Sequence, residues 1–428
     1  MEIKQLTNEE FNSFKNSFQI GSIYQTAEYG FVMNHQGFDS VILGLVDDEN
    51  HIIGAGLILI KKVRNIKYAY APRGFLIDYT NYSLIETFTN LLKKYLSKLG
   101  IVTIRINPLI IKSIYDKKHD VLSKNEYYDI IYNNLIKLGY KHLGYNSYFE
   151  GLKPRFEAII EIDKPYYLIF NDLNKGFKTK IRSASKNGIK IYTGDNLEYL
   201  YLQTKKKYPR NLEYFKDCYK YFSKNKNIEF YYAKLDTKEY LKVKNKELLE
   251  QEKKVNYYNE NIAKSNNINL KIEADKKYNH LKKQLIEATN LLKNNPDGIV
   301  TASALIIKNK DEVYLFMDGY DVNYKSLNSK HLLLWKLIEN YSNQNYKKFN
   351  LGGMTNPFEK NNSYEGLNNF KLGFNSKVYE YIGDLELVCN NTKYFFIKNS
   401  VFKNTLKSKS IWLTFDILDN NMFPYHLL

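Results

Sequence analysis

The chain has 428 residues, 44% hydrophobic, 15% aromatic and 25% charged, which excludes a disordered or fibrous protein and suits about two to three folded domains. Its longest apolar run, Ile52 to Ile60, falls well short of the roughly 20 residues that span a bilayer. A formal net charge of +17 and a pI near 9.3 favour polyanionic partners: RNA, nucleotide phosphates or an anionic membrane face. The opening Met1-Glu2-Ile3-Lys4-Gln5-Leu6 lacks the apolar core of a signal peptide. Cys218 and Cys389 are too few for a disulfide scaffold and fit a reducing compartment, so a cytoplasmic location is expected. The seven histidines show no metal-binding spacing, and neither a metal nor a cofactor is expected.

In chain order, residues 1–150 read as mixed α/β. Val41 to Val46 and Ile52 to Ile60 predict two strands about the turn Asp47-Asp48-Glu49-Asn50, and Tyr68 to Pro72 a further strand. Ser83 to Leu99 carries Leu84, Phe88, Leu91, Leu92, Tyr95 and Leu96 at helical spacing and stops at Gly100. Ile101 to Ile106 is a buried-type strand, and Tyr127 to Leu138 a helix. A second α/β unit opens with a strand at Phe156 to Ile162. A basic helix from Asp172 to Gly188 follows, with helices at Leu197 to Tyr208 and Leu212 to Phe222. Strands are predicted at Ile228 to Leu235, Gly298 to Ile307 and Glu312 to Asp318, and a helix at Leu332 to Tyr341.

Between Thr237 and Asn294 there is no proline or glycine. Leu241, Leu248, Val255 and Ile262 recur every seven residues. After Ser265-Asn266-Asn267 a second ladder runs Ala274, Tyr278, Leu281, Leu285, Ala288, Leu292. Heptad spacing on both sides of a polar turn predicts an antiparallel helical hairpin. It reads equally as a solvated structural arm or as one that touches RNA phosphates.

Four motifs carry chemistry. Ala71-Pro72-Arg73-Gly74 reads as a strand-to-helix turn with Arg73 pairing to Asp78. Lys175, Lys178, Lys180, Arg182, Lys186 and Lys190 crowd one helix and its exit, Lys186-Asn187-Gly188, as a solvated face or a phosphate contact. Arg210 and Tyr214 share one side of a helix start, where a guanidinium fork and helix donors suit phosphate. Finally, Gly352-Gly353 closes a strand, a loop follows, and a short helix in Tyr364-Glu365-Gly366-Leu367-Asn368-Asn369-Phe370-Lys371-Leu372-Gly373-Phe374 presents Phe370 and Lys371. Glycines let a ligand approach the backbone, and a lysine beside them can hold developing negative charge.

This succession resembles the Fem family of aminoacyl-tRNA-dependent peptidyltransferases, which build the cross-bridges of bacterial peptidoglycan. The resemblance covers nearly the whole chain. It implies an α/β fold of two tandem acetyltransferase-like (GNAT-like) units flanking a cleft. These would occupy residues 1–150, and 151–236 with 297–373, with a coiled-coil arm at 237–296 and a segment at 374–428 returning to the first unit. It implies transfer of an aminoacyl group from charged tRNA to a stem-peptide amine of a precursor, either lipid II or UDP-MurNAc-pentapeptide. Phe370 and Lys371 would be catalytic. Arg210, Tyr214, Tyr364, Gly352, Gly353 and Arg73 would bind substrate, and Lys178, Lys180, Arg182 and Lys186 would hold tRNA. Contact with the inner membrane face and pairing of copies through the arm are further implied partners.

Two departures stand out. Family members often carry a lysine eight residues beyond Gln25, where this chain has Met33 and Asn34, so diphosphate binding should differ. The strand that often ends in Asp-Pro reads Asn107-Pro108, and an amide is no general base. No Ser-His-Asp or Cys-His set is evident, which favours direct attack by the amine. The alternatives are an acyl-CoA-dependent N-acyltransferase, although no clear pyrophosphate loop of the form (Arg/Gln)-x-x-Gly-x-(Gly/Ala) is present, and a non-catalytic tRNA-binding homologue.

Overall fold

The computed structural model describes residues 1–18, 21–63, 65–149, 151–206, 210–261 and 267–399. Ile262, the turn residues Ser265 and Asn266, Lys207 to Pro209 and residues 400–428 lie outside them.

The first stretch runs β1 (Glu2–Gln5), α1 (Asn8–Ser17), α2 (Ala27–His35), β2 (Asp39–Val46), β3 (Ile52–Val63), β4 (Ile66–Ala71), α3 (Tyr82–Lys98) and β5 (Ile101–Ile106). Next come β6 (Ile111–Tyr115), β7 (Val121–Lys124), α4 (Tyr128–Lys137), β8 (Tyr140–His142) and β9 (Phe156–Glu161). The helices α5 (Tyr166–Asp172) and α6 (Lys175–Lys186) lead to β10 (Ile189–Gly194), α7 (Glu198–Thr204), α8 (Leu212–Ser223) and β11 (Ile228–Leu235). Two long helices, α9 (Thr237–Glu260) and α10 (Asn267–Asn294), precede β12 (Ile299–Asn309) and β13 (Glu312–Tyr320). The last described elements are α11 (Ser329–Asn343), β14 (Lys348–Met354), α12 (Glu365–Leu372), β15 (Lys377–Tyr381), β16 (Leu385–Val388) and α13 (Asn391–Asn399).

Helix starts are set by local chemistry. Thr7 accepts from the Glu10 backbone while Glu10 reaches back to Thr7, a reciprocal capping box at α1. Thr26, Asn81, Asn211 and Asp236 cap α2, α3, α8 and α9 in the simpler way. The basic helix expected from Asp172 begins instead at Lys175. Leu173 and Asn174 are extended, with ψ of 150° and 140°, and this break separates α5 from α6.

The strands form two mixed sheets. One has seven strands in the order β1-β2-β3-β4-β5-β16-β8, the other nine in the order β10-β11-β12-β13-β14-β9-β15-β6-β7. The chain crosses between them more than once. β6 and β7 join the nine-stranded sheet by way of β15, and β16 returns to the seven-stranded sheet between β5 and β8. One apolar cluster joins both sheets through α2 and α8: Tyr29, Leu57 and Tyr70 share it with Phe215, Phe230 and Phe316. Phe31 stacks on Tyr221 at 5.3 Å, and His35 Nδ1 lies 3.0 Å from Asp217 on the same seam.

Helices α9 and α10 pack along each other, with Gln251 donating to the Ala274 carbonyl at 3.1 Å. On α10 the buried residues are Ala274, Leu281 and Ala288, seven apart, with Tyr278 and Leu285 half-buried. On α9 the buried positions are Thr237, Tyr240, Lys244 and Gln251, and Leu241, Leu248 and Val255 are only half-buried.

Candidate active site

The site grows out of an irregularity in β14. Its pairing with β9 runs Asn350 to Ile159 and then Gly353 to Glu157, so a bulge lies between. Gly352 supplies the left-handed backbone there, with φ +77°. Its N–H donates to Asn350 Oδ1 at 2.8 Å. The Asn350 amide in turn donates to Glu157 Oε2 at 2.9 Å and to Glu312 Oε1 at 2.8 Å. Glu157 also accepts from Arg73, Tyr314 (3.4 Å) and Tyr381 (3.3 Å).

Lys371 stands over this turn. It sits in the last turn of α12, and its Nζ donates to the Gly353 carbonyl at 2.6 Å. Burial pushes its pKa down to about 8, and Lys330 adds to that effect while Asp318 and Glu157 oppose it. Lys330 is paired with Asp318. The start of α12 is tied down by Asn368 and Asn362, which both hydrogen-bond Thr355.

Phe370 faces the other way. Its ring centroid is 5.1 Å from His331, 5.5 Å from Phe374 and 5.9 Å from Phe177, with Lys330 Nζ at 4.6 Å. It lines a pocket of about 370 Å³ with Tyr320, Lys325, Ser329, His331 and Leu367. Burial, reinforced by Lys180 and Lys330, lowers the His331 pKa to about 4, so the imidazole is neutral at pH 7. Gly373 admits Phe177 so closely that a Cβ there would lie 2.1 Å from its ring. Tyr364 packs on Phe149 at 5.4 Å, at the near end of α12.

Arg73 belongs to the structural frame of this site. Its side chain is 2% exposed and ion-paired with Glu157, itself 3% exposed. The expected partner Asp78 hydrogen-bonds Thr80 instead. A left-handed φ of +59° turns Arg73 inward, and its N–H donates to Asn107 Oδ1 at 2.8 Å. Asn107 therefore serves the turn, accepting from Tyr70 as well.

Arg210 and Tyr214 are brought together elsewhere. The guanidinium lies 4.6 Å over the Tyr214 ring, and the residues are 4% and 2% exposed. Burial lowers the Arg210 pKa and raises that of Tyr214. Tyr24, whose ring meets that of Tyr314 at 5.9 Å, stands between this pair and the Glu157 network. Met33, where the resemblance raised the expectation of a lysine, is fully buried in the shared core.

Four cations of α6 are engaged within the chain. Lys178 donates to the Asn171 carbonyl at 3.0 Å, and Lys180 and Arg182 lie over Phe177 and Phe170. Lys186 pairs with Glu247 of α9 at 2.6 Å. Sequence reasoning missed Glu157, Asn350, Glu312 and Lys330. A signal existed for two of them: Glu157 interrupts the apolar run Phe156 to Ile162, and Asn350 sits between Phe349 and Leu351. Among the described residues no cluster of His, Cys, Asp or Glu could hold a metal ion, and no helix is long and apolar enough to cross a membrane.

The chain as a whole is similar to known proteins. A sequence model of the FemAB family matches residues 6–400. Aminoacyltransferase FemA of Staphylococcus epidermidis is 24% identical over 409 residues, covering 92% of this chain and 97% of that one. Aminoacyltransferase FemB of the same species is 25% identical over 420 residues, covering 95% and 100%. Its lipid II:glycine glycyltransferase is 25% identical over 419 residues, covering 93% and 95%. The crystal structure of FemX superimposes with a TM-score of 0.71 at 22% identity, covering 93% of this chain and all of the other.

Proposed function

Because the chain belongs to the FemAB family and is an aminoacyltransferase, we propose that it moves an aminoacyl group from charged tRNA to a stem-peptide amine of a peptidoglycan precursor. The observation that carries this reading is Lys371 anchored on the Gly352–Gly353 bulge in a chain whose residues 6–400 match the family. The similarity to a lipid II:glycine glycyltransferase supports a lipid-linked acceptor. That acceptor would place the protein in the cytoplasm, at the inner membrane face, where positive charge is attracted.

The donor ester is already activated, so the enzyme's part is positioning and charge stabilisation. The neutral amine attacks the ester carbonyl, a C–N bond forms, and the C–O bond to the ribose breaks. The amine's proton leaves to water or substrate, and the ribose oxygen gains one. The Lys371 ammonium steadies the oxyanion or the departing ribose oxygen. The pocket beside Phe370, with Lys325, Lys330 and the rings of Tyr320, Tyr324, His331 and Phe370 on its walls, suits the terminal nucleoside of the donor. Tyr364, Arg73, Gly352 and Gly353 shape the reacting turn, and Arg210 with Tyr214 supports the acceptor side. The two sheets are read as two acetyltransferase-like units. Helices α9 and α10 are read as a coiled-coil arm that, with Lys178, Lys180, Arg182 and Lys186, meets tRNA phosphates in a salt-sensitive way.

The test is transfer from a pool of radiolabelled aminoacyl-tRNAs to lipid-linked and nucleotide-linked muropeptides, with and without RNase. RNase-sensitive label in the lipid-linked acceptor is the expected result. Absence of label in both acceptors, from folded protein, would overturn the reading.

A further inference from the structure

We propose that Asn350 is a positioning residue for Lys371, acting through the Gly352–Gly353 turn, and that Arg73 and Glu157 hold it in place. The inference rests on the acyl-transfer reading of Lys371.

An ammonium carries three protons, and one of those on Lys371 goes to the Gly353 carbonyl. That bond sets where Nζ stands, so the direction of the Gly353 carbonyl decides where the charge is presented. The carbonyl's direction follows from the bulge. The bulge is closed by the Asn350 side chain accepting the Gly352 N–H two residues on, an Asx-type turn.

Asparagine is the one side chain of this length that does everything the place requires. Its oxygen accepts from Gly352, and its amide group donates to both Glu157 and Glu312. A flipped amide would face the Gly352 N–H with its own donors and set its oxygen against the Glu157 carboxylate, so the orientation is determined. Aspartate would accept from Gly352 but bring a third carboxylate to the pair. Alanine would leave Glu157 and Glu312 unbridged.

The frame behind Asn350 crosses the molecule. Arg73 follows β4 of the seven-stranded sheet, and Glu157 lies in β9 of the nine-stranded one. Their buried ion pair is sealed by Tyr381, whose ring lies 5.2 Å from the guanidinium, and by the Pro154 carbonyl at 3.2 Å. The position of the ammonium thus depends on both sheets together.

A double-mutant cycle on transfer activity tests this. Misplacing a group by ~1 Å costs up to about 100-fold, so Asn350→Ala is expected to lower kcat about tenfold to a hundredfold. Both KM values should stay within about twofold, since an interaction made only in the transition state is being lost. In a Lys371→Ala background, followed by single-turnover assay with radiolabelled donor, Asn350→Ala should change the residual rate less than about twofold. Equal losses in both backgrounds would overturn the proposal, as would full activity of folded Asn350→Ala. Should Asn350→Ala fail to fold by circular dichroism, Gly352→Ala takes its place. A Cβ there would lie 3.7 Å from the Tyr314 hydroxyl and 3.8 Å from Lys371 Nζ, so it adds no clash, strains the turn's backbone and stands beside the ammonium itself. It should show the same dependence on Lys371, and an equal loss without Lys371 would overturn the proposal. Full activity of Lys371→Ala alone would instead defeat the acyl-transfer reading of the lysine itself.

Discussion

Arg210 with Tyr214 and Lys371 with Phe370 are two cation–aromatic neighbours built in opposite ways. Arg210 lies face-on to its own tyrosine inside a core shared by both sheets. Lys371 turns away from Phe370, takes a backbone carbonyl as anchor, and leaves the aromatic ring to a pocket wall. In the first arrangement the charge lies over a ring and is nearly closed off from solvent. In the second it is held at the edge of a bulge, with its pKa lowered to about 8. Residue type is the same in kind, so what separates the two cations is their surroundings: an aromatic face for Arg210 and a backbone carbonyl for Lys371.

The largest expected effect breaks the comparison outright. Lys371→Ala should cost at least about 100-fold in kcat, the scale for removing one donor to a developing oxyanion, with the melting temperature nearly unchanged. Arg210→Ala should do the reverse to stability. It removes a buried guanidinium from an aromatic face, an interaction worth about 2 kcal/mol or more when desolvated, and leaves space in the core. Parallel chemical denaturation and transfer assays would check both. A stable Arg210→Ala protein with abolished transfer would place Arg210 on the chemical side.

The glycines sharpen the same contrast at smaller scale. A Cβ at Gly353 would lie 2.2 Å from Pro154 Cγ, so Gly353→Ala should destabilise by about 1–3 kcal/mol through overpacking. Gly352→Ala has room, and its penalty is conformational, about 1–2 kcal/mol for a left-handed residue. Urea midpoints of the two variants should therefore fall in that order.

Much of the frame was legible in the sequence because burial follows period. Of the ladder picked out by heptad spacing on α10, Ala274, Leu281 and Ala288 are buried, and Tyr278, Leu285 and Leu292 are half-buried. The facing helix was harder to read, because its inward residues include Lys244 and Gln251. Each is satisfied by a bond invisible in sequence, Lys244 to Glu247 and Gln251 to the Ala274 carbonyl. β7 escaped notice because all four of its residues are exposed, so no apolar alternation marks it. At the site, the Phe370–Lys371 helix and the double glycine could be read locally. Glu157 and Asn350 could not, since their bond joins residues 193 positions apart. Arg73 misled for a similar reason: Asp78 was near in sequence, but Glu157 is near in space.

The smallest effect is a shift along the pH axis, and it separates the two cations most cleanly. Below pH about 8 Lys371 is an ammonium, and above it the proton is lost to burial. Transfer should therefore decline as pH rises through about 8, even though the acceptor amine becomes more nucleophilic over the same range. Lys371→Arg, which stays charged, should remove that alkaline decline at a lower overall rate. Arg210→Lys should leave it in place. Stability must run the other way. Between about pH 8 and the ordinary lysine value of about 10.4, the unfolded chain holds a proton that the folded site has released, so this lysine's contribution to folding improves with pH. The stability difference between wild type and Lys371→Met should thus change in favour of the wild type across that window, while wild-type transfer falls. Rate and stability moving together there would mean that the ammonium is not what the reaction uses.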